Sequence, residues 1–165
     1  MLAASGPRVR AVIGCEQAAS GLPAVRQTML QGLLGEIRHR PLLATTRALL
    51  AHLQLSLGAL AAEVVHVLFL DARLHLIREE KMFHGTVAEC PFYVREIVRR
   101  ALELGSADLI VAHNHPSGDL MPSADDCKRT RDLIEAARLF DIHVVDHLII
   151  SRSGCRSMRA MGHLS

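Results

Sequence analysis

The chain has 165 residues, enough for one domain with a sizeable core and a small appendage. Half of them are apolar, 22% are charged and the formal net charge is +2, so nothing in the balance calls for a nucleic-acid or membrane partner. Tryptophan is absent and aromatic residues make up 3%, which leaves few platforms for stacking single-stranded nucleic acid.

Residues 1 to about 20 carry little pattern and are expected to be loosely ordered. Met1 to Pro7 lacks the charged region and apolar core of a secretory signal. From Pro23 the periodicity is helical: Val25, Met29, Leu33 and Ile37 recur at four-residue steps, with Leu30 and Leu34 beside them. Arg38-His39-Arg40-Pro41 ends that helix with basic residues and a proline. Thr45 or Thr46 caps a second helix to about Leu57, closed by Gly58. The greasiest window, Leu49 to Leu70, is interrupted by His52, Gln54, Ser56, Glu63 and His66, which argues against a membrane span.

Ala62 to Asp71 reads as a buried strand, rich in β-branched residues, with the Glu63 carboxylate at its mouth. Asp71-Ala72-Arg73 turns the chain into a hairpin partner that begins at Leu74-His75-Leu76-Ile77-Arg78 and continues through Met82 to Val87. Glu79 and Glu80 fall on its polar, exposed middle. From Pro91 a helix presents Val94, Ile97, Val98, Ala101 and Leu102 on one face and ends near Gly105. Its other face carries Arg95, Glu96, Arg99, Arg100 and Glu103. With Lys128, Arg129 and Arg131 these make a possible phosphate patch, but helical ion pairs such as Glu96–Arg100 are the plainer reading.

Asp108-Leu109-Ile110-Val111-Ala112 is a short apolar strand that leads into His113-Asn114-His115-Pro116-Ser117-Gly118-Asp119. Side chains two apart on an extended segment point the same way, so His113 and His115 leave the strand end on one face. Ser123 occupies an N-cap position, and Asp126 in the first turn of the following helix can be brought opposite the histidines by the turn at Pro116-Ser117-Gly118. Two imidazoles and a carboxylate suit zinc and leave a fourth position for water, the pattern of a catalytic site. The bland alternative is that Ser123 and Asp126 form a capping box, which does not explain the histidine pair. The helix runs to about Phe140 and packs Leu133, Ile134, Ala137 and Phe140 inward, and Ile142 to Ser151 forms a further strand. His147 on that strand reads as a core histidine hydrogen-bonded to backbone, with a supporting role behind the ligands or a fourth ligand as alternatives.

The run His113-x-His115, seven residues, then Ser123-x-x-Asp126 resembles the JAMM motif of the MPN/JAB metalloproteases. The fuller wording His-Asn-His-Pro-Ser-Gly-Asp, together with Asp146-His147-Leu148-Ile149-Ile150, is similar to the bacterial RadC branch of that family. The resemblance covers about residues 42 to 160 and is densest over 63–71 and 108–151. It implies one zinc ion per chain, held by His113, His115 and Asp126, with Ser123 stabilising the oxyanion. Glu63 matches the position of the family's catalytic acid, which would accept a proton from the activated water and pass it to the leaving amine. The alternative for Glu63 is a solvated residue at a strand start, with Glu79 and Glu80 as rival bases. RadC-type proteins also carry an N-terminal helix-hairpin-helix segment, which Gly21-Leu22-Pro23 matches only faintly. The expected division is therefore a partial helical segment over 1–41 and a RadC-like MPN/JAB domain over 42–165.

The expected fold is an α/β sandwich, a mixed sheet flanked by helices. The expected function is zinc-dependent hydrolysis of a peptide or isopeptide bond in a peptide or protein substrate. The alternatives are a DNA-associated module of the RadC type without hydrolytic activity, and an inactive MPN scaffold, against which the complete ligand set argues. A zinc nucleobase deaminase lacks support, since neither His-x-Glu nor Pro-Cys-x-x-Cys is present. Cys15, Cys90, Cys127 and Cys155 are scattered without a Cys-x-x-Cys, so with the metal motif they indicate reduced thiols and a cytoplasmic protein.

Overall fold

The computed structural model describes residues 16–41, 44–85 and 92–164, with the side chains of 16–22 left aside. Order in residues 1–15, the strand continuation at Thr86-Val87, and Cys15 and Cys90 lie outside the described residues. Helix α1 (Glu16–Arg38) begins ahead of Pro23 and runs as helix through Gly21-Leu22-Pro23, so no hairpin turn forms there. Helix α2 (Thr46–Leu57) has Thr45 at its N-cap and Gly58 at its C-cap. Strands β1 (Val64–Leu70) and β2 (Leu76–His84) form the expected hairpin. Helix α3 (Val94–Leu104) ends at Gly105, which adopts the left-handed conformation, φ 63°, that glycine takes without cost. Strand β3 (Asp108–Asn114), helix α4 (Ala124–Arg138), and strands β4 (His143–Ser151) and β5 (Gly154–Ser157) complete the order.

The five strands lie in the order β2-β1-β3-β4-β5, with β3 and β4 parallel and the other neighbours antiparallel. The fold is thus the expected α/β arrangement of a mixed sheet with helices on both faces. Alternation along the central strands explains the two layers. Val64, Leu68 and Leu70 of β1 join Ile110 and Ala112 of β3 against α2 and the Ile37 end of α1. Val65, Val67 and Phe69 join Leu109 and Val111 against Ile97, Val98 and Ala101 of α3 and Leu133 and Ala137 of α4. A strand covered on both faces is apolar nearly throughout, which is why β1 and β3 read as continuous hydrophobic runs.

Several expectations are corrected. Glu79 is not on an exposed middle: its carboxylate accepts from His52 Nε2 at 2.8 Å and His66 Nδ1 at 2.9 Å, between α2 and the sheet. Glu80 faces the other layer and is held by Arg100 of α3, through Nε at 2.9 Å and 3.0 Å. Arg100 therefore pairs with Glu80 and Glu103, while Glu96 pairs with Arg99 and Arg95. Leu102 and Phe140 were expected to pack inward and are about half exposed. Phe140 follows the end of α4 at Arg138, past the last turn that faces the sheet.

Candidate metal centre

The topology brings the candidate residues to one end of the sheet. Strand β3 runs toward this end and β1 runs away from it, pairing Val65 with His113, so Glu63 just ahead of β1 arrives beside the end of β3. A turn follows His115, with the Gly118 amide donating to the His115 carbonyl at 3.1 Å, and the chain returns to start α4 over the same spot. There Ser123 accepts from the Asp126 amide at 3.0 Å, and Asp126 Oδ2 accepts from the Ser123 amide at 2.8 Å, a complete capping box. Capping and site geometry are one device. The box fixes the Asp126 carboxylate, and the Ser123 hydroxyl also donates to it at 2.6 Å.

One donor atom from each of Glu63, His113, His115 and Asp126 lies within 4.8 Å of all the others. His113 Nε2 is 2.8 Å from His115 Nε2 and 3.3 Å from Asp126 Oδ1, while His115 Nε2 is 3.5 Å from Asp126 Oδ2. Bonds of about 2.0–2.1 Å in a tetrahedral zinc site put ligand atoms roughly 3.3 Å apart, close to this triangle. Glu63 Oε1 stands further off, 3.9 Å from His113 Nε2.

Proton accounting leads to the same chemistry. His115 Nδ1 donates to the Asp119 carbonyl at 2.9 Å, which leaves Nε2 of the neutral ring with a lone pair. That lone pair meets His113 Nε2 and two carboxylates, so unless one ring Nε2 carries a proton toward Asp126, acceptors face acceptors. Only a cation, a proton or a metal, relieves such an arrangement, and the His₂Asp set is one that zinc takes. The charges follow: the Asp126 carboxylate pulls His115 above its ordinary pKa, outweighing burial. Burial alone would raise Asp126, but hydrogen bonds from His113, His115 and Ser123 outweigh it and hold the carboxyl far below the usual range. Glu63 moves the other way, raised chiefly by burial, with His113 opposing and the Asp126 charge adding. Two neighbouring carboxyls are thus pushed apart, the condition for one to bind a cation while the other exchanges a proton.

The centre opens into a cleft of about 670 Å³, with Val65, Phe92 and Met121 among its walls and Arg129 at its rim. Arg129 is tied to Asp125 at 2.5 Å, Lys128 to Asp132 at 2.7 Å, and Arg99 to Glu103, so most of the candidate phosphate patch is engaged in pairs.

Three further residues have work at this site, a role that the sequence offers only for His147 and there only as an alternative to a core histidine. Asn114, between the two histidines, points to the opposite face and is 2% exposed. Its Oδ1 accepts from the Val64 amide at 2.9 Å and its Nδ2 donates to the Ala62 carbonyl at 3.0 Å, so it grips the chain on both sides of Glu63. The available signal was the alternation that puts a buried polar side chain opposite two ligands. His147 is fully buried, but its ring partners are side chains and not backbone: His113 Nδ1 at 2.8 Å and Thr130 Oγ1 at 2.6 Å. Burial holds it well below its ordinary pKa, and the charge of His113 adds to the effect. Thr130 lies one helical turn after Asp126, a spacing that places it on the same inward face.

Residues 43–163 match the family model described as the RadC-like JAB domain. The UPF0758 protein of Paraburkholderia xenovorans (strain LB400) is 43% identical over 141 residues, covering 86% of this chain and 56% of that protein. The UPF0758 protein of Delftia acidovorans is 42% identical over 150 residues, covering 91% of this chain and 65% of that protein. That of Leptothrix cholodnii is 40% identical over 145 residues, 88% of this chain and 65% of that protein. The chain therefore spans little more than half the length of such relatives.

Proposed function

The chain belongs to the RadC-like JAB domain family, and on that premise we propose that it is a zinc-dependent hydrolase of the JAMM type, cleaving a peptide or isopeptide bond. The observation that carries this reading is the convergence of Glu63, His113, His115 and Asp126 at the end of β3. His113, His115 and Asp126 are the residues that would hold the ion, one per chain. Zinc bound there supplies a Lewis acid, which polarises a carbonyl and lets water lose a proton near neutral pH. Glu63, raised by burial, takes a proton from the attacking water at its carboxylate and returns it to the leaving amine. Ser123 offers the hydroxyl for the developing oxyanion, shifting its proton from Asp126 to the substrate as charge builds.

The partner in this reading is a peptide or protein, with a side chain seated against Val65, Phe92 and Met121 in the cleft. The ion pairs of Arg99, Arg100, Lys128 and Arg129 count against reserving them for nucleic-acid phosphates. Among the described residues no helix is long and apolar enough to cross a membrane. A reducing, cytoplasmic setting suits the free thiols of Cys127 and Cys155.

The test is a screen of the zinc-loaded protein against peptide and isopeptide libraries, followed by two variants on any substrate found. Glu63→Gln should keep zinc and fold while losing activity by roughly 10² or more. Asp126→Asn should lose zinc and activity together. A fully active Glu63→Gln would overturn the assignment of Glu63 as the base.

A further inference from the structure

A hydrogen-bond chain runs from the metal centre into the core, and its polarity is fixed at the far end. Thr130 Oγ1 has three neighbours: the Asp126 carbonyl at 2.6 Å, His147 Nδ1 at 2.6 Å and Met158 Sδ at 3.9 Å. A carbonyl only accepts, and a thioether at that distance is a poor rival, so the one hydroxyl proton goes to Asp126. Thr130 Oγ1 must then accept from His147 Nδ1–H. In the neutral ring that makes His147 Nε2 an acceptor, and its partner at 2.8 Å is His113 Nδ1, which must donate. His113 is left with its lone pair on Nε2, the nitrogen that faces His115 and Asp126. The whole chain is buried: Thr130, His147 and His113 are 1%, 2% and 2% exposed. No water competes for any link.

We propose that His147 and Thr130 are positioning residues that lock His113 in the Nδ1–H tautomer and so hold its Nε2 lone pair toward a metal ion. The inference rests on the zinc reading above. The relay closes on itself, because the carbonyl that orients Thr130 belongs to Asp126, whose side chain is one of the ligands. Helix α4 thus presents a ligand and, one turn later, the residue that sets the tautomer of a ligand on β3. Phe92 stacks on the His147 ring, centroids 6.1 Å apart and planes 25° apart. Supporting partners of this kind typically change metal affinity by about 10–100-fold when removed.

Zinc affinity is measured by competition with a chromophoric chelator, for the parent chain, Thr130→Val, Thr130→Ser and His113→Ala. Thr130→Val keeps the shape but cannot accept from His147 Nδ1–H, so affinity should fall by about 10–100-fold, and Thr130→Ser should restore it. ¹⁵N imidazole shifts of the unmodified zinc-loaded chain give a second readout that needs no variant to fold: His113 should show a protonated Nδ1 and a metal-coordinating Nε2. Parent-like affinity in Thr130→Val, or a His113 coordinating through Nδ1, would overturn the lock. Those failures are distinct from failure of the zinc reading, in which the parent and His113→Ala bind zinc equally or not at all.

Discussion

Replacing Asn114 by alanine should damage stability and the site together. The side chain is buried and holds the Val64 amide, itself on a buried residue, and the Ala62 carbonyl. Without Oδ1 the Val64 amide loses its acceptor in a dry position, which costs about 1–3 kcal/mol. The Ala62 carbonyl is half-buried and recovers part of its hydrogen bonding from water, for a loss of roughly 1 kcal/mol. The sum, about 2–4 kcal/mol, should appear in urea denaturation as a lower midpoint at unchanged slope. The backbone on either side of Glu63 is then released, so hydrolysis on any substrate of the parent should fall while zinc stays stoichiometric. A variant within about 0.5 kcal/mol of the parent and equally active would refute the clamp.

Two further outcomes test the packing around the site. Burial alone would push the Glu79 carboxyl up, but the hydrogen bonds from His52 and His66 outweigh it and bring it down to about 2, against an ordinary value of 4.5. Its stabilising contribution, on the order of 3 kcal/mol, is therefore present above pH 4.5 and lost as pH falls toward 2, and Glu79→Gln should flatten stability over that window. Gly58→Ala should cost about 1–3 kcal/mol in thermal or urea unfolding, since an added Cβ would lie 2.7 Å from the Gln54 carbonyl oxygen and 2.9 Å from that of Ser151.

What the sequence revealed follows from which interactions are local. The period-2 spacing of His113 and His115, the N-cap at Ser123 and the first-turn position of Asp126 are local, and they converge as their spacing implies. Where the chain alternates or repeats cleanly, as in β1, β3, α2 and α3, the elements were legible within a few residues. The partners of polar groups were not, because they come from distant parts of the chain. Glu79 looks like a surface residue until α2 delivers His52 to it, 27 residues away. Arg100 has Glu96 at helical spacing, yet it chooses Glu80 across the layer, 20 residues away. His147 reads as a generic core histidine because its two partners lie 34 and 17 residues away on separate elements. Nothing local marks the partners of Asn114, and only the pairing of β1 with β3 brings it to the backbone on either side of Glu63.

The most direct test of the central claim is metal analysis of the purified chain after zinc loading and removal of excess ion, alongside His113→Ala, His115→Ala and Asp126→Ala. The account predicts one zinc ion per parent chain. It also predicts loss of that ion from each variant, since removal of one of three protein ligands collapses affinity at such a site. Stoichiometric zinc in a folded His113→Ala/His115→Ala double variant would contradict it.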